Sequence, residues 1–134
     1  MKNKSSLSLI EQVIMIMVFA VSAAVSLRIF TYADSLSKSN ALKDRAVLYA
    51  QNAAEAVIQA RGDLTAAAEL AGGTYTGDGF VKNCSDSEEG DTLKLSVERT
   101  ASGNELLGKA RIEVYGGEEC VYSIEGCWQE GTDD

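Results

Sequence analysis

The chain has 134 residues, enough for one small domain plus an anchor, and carries a net charge of -8. It has no histidine, which removes the commonest general base and metal ligand; no nucleophile–base pair or phosphate loop stands out, and the reading is of a non-enzyme with no cofactor. The charge is polarised: residues 62–134 hold sixteen acids against five bases, a net of -11, which repels nucleic acid and anionic lipid and argues against a nucleic-acid partner.

Residues 1–6 form a short basic leader with Lys2 and Lys4. Residues 7–27 follow as an apolar run whose one charged side chain is Glu11. A membrane-spanning helix needs about 20 such residues. Lysines before the run, with no acid beside them, place the N-terminus in the cytoplasm and everything after the run outside it. The lipid bilayer is therefore the first expected partner. Small-residue sites at Ala20-Val21-Ser22 and Ser22-Ala23-Ala24 also admit a cleaved secretory signal. That reading conflicts with the length of the run and with the helical pattern that continues beyond it.

The continuation is in residues 28–61. Leu42, Ala46, Tyr49, Ala50, Ala53, Val57 and Ala60 recur at helical spacing on one face, with Lys43, Asp44, Gln51, Asn52, Glu55 and Gln59 largely off it. No proline or glycine interrupts residues 1–61, and Gly62 reads as the stop. The expectation is one long helix over 7–61. Its first half lies in lipid, and its second half has an apolar face needing cover.

Residues 62–128 read as an acidic α+β head. Asp63 is placed to cap a short helix over 64–71, closed by Gly72 and Gly73. A short strand is expected over 80–83. Leu93, Leu95 and Val97 alternate with polar residues, as do Ala110, Ile112 and Val114, which predicts two half-buried strands. Ser102, Gly103 and Asn104 mark the turn between them, and Gly116-Gly117 the next. A last strand over 120–128 puts Tyr122 and Ile124 on one face, and residues 129–134 read as a frayed acidic tail. The expected fold is α+β: a long N-terminal helix with a small antiparallel meander packed on its second half. Tyr49, Tyr122 and Trp128 read as packing residues.

The stretch Ser8-Leu9-Ile10-Glu11, with the basic leader before it and the apolar helix after it, resembles the N-terminus of type IV pilins and type II secretion pseudopilins. The whole plan of extended helix plus antiparallel head is also similar to theirs. The resemblance implies processing by a prepilin peptidase between Ser6 and Leu7, with methylation of the new amine, because the family's glutamate is the fifth mature residue. It implies that Glu11 meets that amine on a neighbouring subunit and sets the register of assembly. It implies as partners other pilin-like subunits, the peptidase and an inner-membrane assembly platform, in a type IV pilus or a type II protein-secretion filament. The chain departs from the family at three points: Ser6 stands where glycine is usual, Leu7 where phenylalanine is frequent, and no proline breaks the membrane segment. It resembles a divergent, minor member.

Three further groups of residues stay open. Ser8 and Glu11 have the spacing of a capping box, a purely structural reading of the same glutamate. Asp86, Glu88, Glu89 and Asp91 offer oxygen ligands of the kind calcium takes, and some pseudopilins hold calcium in such a loop; the spacing is not that of an EF-hand, and a solvated acidic loop is the competing reading. Cys120 and Cys127 on one straight strand are ~23 Å apart on opposite faces. Any intrachain disulfide therefore pairs Cys84 with Cys120 or Cys127, against the alternative of three free thiols. The rival functions are a bitopic anchor displaying a binding domain without a filament, and a secreted domain after signal cleavage.

Overall fold

The computed structural model describes residues 2–85, 90 and 92–131. Helix α1 (Lys2–Gln59) is followed by α2 (Leu64–Ala71) and five strands: β1 (Thr74–Tyr75), β2 (Gly79–Ser85), β3 (Thr92–Thr100), β4 (Leu107–Gly116) and β5 (Glu119–Gln129). The strands form one antiparallel sheet in the order β1-β2-β3-β4-β5, so the α+β meander is as expected. The chain divides into two compact units, Met1–Ala41 and Leu42–Asp134.

In the first unit α1 is a bare apolar helix. It starts at Lys2, not at Leu7, so residues 2–6 of the basic leader are already helical. It is long and apolar enough to cross a membrane, and none of its apolar window is buried. The polar hydroxyls in the apolar stretch are internally satisfied: Ser22 donates to the Val18 carbonyl (2.8 Å), Ser26 to Ser22 (2.9 Å) and Thr31 to Leu27 (3.1 Å). Such back-bonding is what a hydroxyl needs where no water reaches it.

In the second unit the remainder of α1 packs on the sheet. Ala46, Ala50, Ala53 and Val57 are essentially inaccessible to solvent. Their spacing is the helical stripe of the sequence, and three alanines at the contact leave room for the bulkier strand side chains. Those are Phe80, Leu93, Leu95, Val97, Ile112 and Val114, all buried, with Leu64, Ala67 and Ala68 of α2 closing one end. The register Phe80↔Val97↔Ile112↔Ile124 carries one apolar row across four strands. Each large aliphatic or aromatic side chain so buried is worth about 1.5–3 kcal/mol.

Both helix ends are capped by the backbone. The Gly62 N–H bonds to the Val57 carbonyl (3.1 Å) and the Arg61 N–H to Ile58 (3.0 Å). This is a Schellman cap, and its left-handed position falls on Arg61 (φ 51°), so α1 ends at Gln59 rather than 61. Helix α2 has the expected bounds. Asp63 accepts from the Thr65 and Ala66 N–H groups, and Gly72 (φ 71°) and Gly73 close the helix, with Gly73 N–H to Ala68 at 2.8 Å. Lys82 reaches from β2 to the last α2 carbonyl, Ala71, at 2.7 Å, a cation at a helix C-terminus.

Trp128 is the keystone of the far end of the sheet. It is 5% exposed, and its indole lies against Gly62 and Gly108, where an added Cβ would come within 2.1 and 2.2 Å of the ring. Arg99 stacks over the same ring at 5.8 Å and pairs with Glu130.

Candidate functional site

The residues that carry the functional reading lie on the first unit of α1. Ser6, Leu7 and Glu11 are all helical and exposed. The bond between Ser6 and Leu7 is thus inside a helix. Ser8 is in the helix interior, six residues past the first helical residue. In the full-length chain Ser8 is therefore not at a capping position. The N-terminal orphan amides that such a box serves belong to residues nearer Lys2, and Ser8 has a full helical turn before it.

The carboxylate of Glu11 projects from a helix surface that, apart from Ser8 and Gln12, is made of Leu7, Leu9, Ile10, Val13, Ile14 and Met15, each of these six more than half exposed. Among the described residues Glu11 makes no ion pair. A charge in such surroundings is costly in lipid, about 2.5–3.5 kcal/mol at a helix centre and less toward an interface.

The cysteines do not pair: of the two alternatives, the possible disulfide of Cys84 with Cys120 or Cys127 gives way to three free thiols. All three are free. Cys84 is buried on the helix-facing side of β2, opposite Leu93. Cys120 and Cys127 are exposed on β5, and two whole strands stand between β2 and β5. Three strand spacings are about 14 Å, twice the reach of a disulfide. The expectation that Cys120 and Cys127 face opposite ways also fails. Tyr115 pairs with Cys120 and Val114 with Tyr122, so Val121 is the extra residue of a β-bulge. The bulge shifts the alternation by one and puts both thiols on the outer face. Burial raises the Cys84 thiol pKa, against a smaller opposing pull from Lys82.

That outer face is polar. Glu125 pairs with Lys109 at 2.6 Å and more loosely with Arg111 at 3.8 Å. The Lys109 hydrogen bond holds the Glu125 carboxyl below its ordinary range. Tyr115 donates to Glu113 at 2.5 Å, and that bond to a carboxylate raises the phenol. The calcium candidates Asp86, Glu88, Glu89 and Asp91 lie outside the described residues. Among the described residues no three Cys, Asp or Glu side chains gather to hold a metal.

Comparison with known protein families, characterised proteins and solved structures returned no match to this chain. The functional argument therefore stands on the chain's own residues.

Proposed function

We propose that the chain is a membrane-anchored structural subunit of a filament of the type IV pilus or type II secretion kind, catalysing no reaction of its own. It sits in the cytoplasmic membrane with its N-terminus inside and its acidic head outside. It is stored there as a monomer and drawn into a helical bundle through α1. Its partners are other pilin-like subunits, a prepilin peptidase and an inner-membrane platform.

The observation that supports this reading is the lone carboxylate of Glu11 on an unburied apolar helix. An isolated charge at that position destabilises the monomer in lipid. It becomes favourable when a cation on a neighbouring helix meets it in a water-free contact. The covered second half of α1 supports the same division of labour: the head packs on its own stretch of helix and leaves residues 7–41 for others.

The test is Glu11→Ala in the native host. The reading expects normal membrane insertion and loss of filaments sheared from cells. Filaments at the parent level would remove the assembly role of Glu11. The second reading, an uncleaved anchored monomer, is favoured by the serine at position 6 and by the helix running through the scissile bond. N-terminal sequencing of the chain from native membranes separates the two: Leu7 as first residue marks a processed subunit, and Met1 an anchor.

A further inference from the structure

Glu11 and Arg28 are the two charged side chains in residues 5–33. Among the described residues neither forms an ion pair on its own helix. The neighbours of Glu11 at three and four residues are Leu7, Ser8, Ile14 and Met15, and those of Arg28 are Ala24, Val25, Thr31 and Tyr32, all uncharged. The next pair along α1 contrasts with them, because Asp34 and Lys38 bridge at i, i+4 with 3.3 Å between them. Residues 5–33 therefore hold one acid and one base that form no ion pair among the described residues, on an exposed apolar helix surface.

We propose that Arg28 of one copy is the partner of Glu11 of the next, so that the occupant of this helix surface is a second copy of the same chain. The inference rests on the filament reading and names the contact that sets its stagger. Glu11 and Arg28 are 17 residues apart, or about 25 Å along the helix axis. Copies inserted side by side in the same orientation hold all their Glu11 side chains at one depth and all their Arg28 side chains at another. No pair forms in that state. Each charge stays near its own membrane surface, Arg28 by extending its stem toward the headgroups. Sliding one copy outward by about 25 Å brings the two to the same level, where a guanidinium and a carboxylate match in shape as well as charge.

The two residues also lie about 100° apart around the helix. The contact is therefore between unlike faces of two parallel helices. A contact between unlike faces with a fixed rise does not close on itself, and it propagates as an open helix. An antiparallel pair would join the same residues without any slide, but the basic leader gives every copy the same orientation.

The experiment compares sheared filament yield for the parent chain, Glu11→Arg, Arg28→Glu and the double exchange, all full length in the native host. Insertion is checked by protease protection. Each single exchange places like charges together and is expected to lower yield by about 100-fold or more. The double exchange restores it to within a few-fold. Parent-level assembly of Arg28→Glu, with Glu11→Arg still defective, overturns the pairing and leaves the filament reading intact, with the amine of Leu7 as the remaining partner. A parent chain that makes no filament overturns both. A second readout covers a double exchange that fails to insert. With native charges and with Cys120 and Cys127 replaced by serine, chains carrying Gln12→Cys mixed with chains carrying Ile29→Cys are expected to form an oxidant-dependent adduct between positions 12 and 29 in filament fractions. Its absence there overturns the pairing.

Discussion

Replacing Gly108 by alanine tests the packing of the head at its tightest point. Gly108 lies on β4 opposite Trp128, and its added Cβ would sit 2.2 Å from the indole Cε2 and 2.3 Å from Nε1. Carbon atoms in contact settle at about 3.5–4.0 Å, so the ring must retreat by more than 1 Å. Retreat is obstructed, because the same edge of the ring is against Gly62. If the neighbours give way, overpacking costs about 1–3 kcal/mol. If the indole is expelled, the loss rises toward that of Trp128→Ala, about 3–5 kcal/mol. In a Trp128→Ala background the clash is gone, and Gly108→Ala is expected to cost less than about 0.5 kcal/mol. The assay is pulse proteolysis of the four full-length chains across a urea series in non-ionic detergent. Equal penalties for Gly108→Ala with and without the indole would refute the slot.

Further outcomes follow from the same structure. Maleimide is expected to label Cys120 and Cys127 in the native chain and Cys84 only after unfolding, because burial suppresses that thiolate; rapid native labelling of Cys84 contradicts its placement. Arg61→Gly relieves a left-handed conformation and is expected to raise stability by up to about 1 kcal/mol, read as a higher urea midpoint. Glu125 has a lowered folded-state pKa, so its contribution is present above the ordinary carboxylate range and is lost as pH falls through the lower folded value. An NMR titration of its side-chain carboxyl is expected to move back toward the ordinary value in Lys109→Met.

The long helix was legible because its stripe of Leu42, Ala46, Ala50, Ala53 and Val57 is local information, and α2 because Asp63 and Gly72 are local start and stop signals. The alternation in β3 and β4 was legible for the same reason. What escaped was set by partners distant in sequence. Strand β1 is two residues defined by pairing with β2. The slot for Trp128 joins Gly62, Gly108 and Trp128 from three elements. The bulge at Val121 and the separation of Cys84 from the β5 thiols follow from register and strand order, which spacing alone does not supply. Ser8 misses the capping position in the full-length chain for a local reason: the helix starts earlier, at Lys2, so its first turn does not include Ser8. Glu11 itself needed only composition, since one charge in an apolar run is visible without any fold.

The central claim is that residues 7–41 of α1 bind other copies of the chain. Its most direct test is a photo-crosslinking residue placed at Met17, which is 67% exposed and lies between Glu11 and Arg28. Irradiation of intact cells is expected to give a ladder of adducts rising in steps of the processed chain beyond the dimer. A monomer band alone, from cells in which the assembly machinery is present and active, would contradict the account.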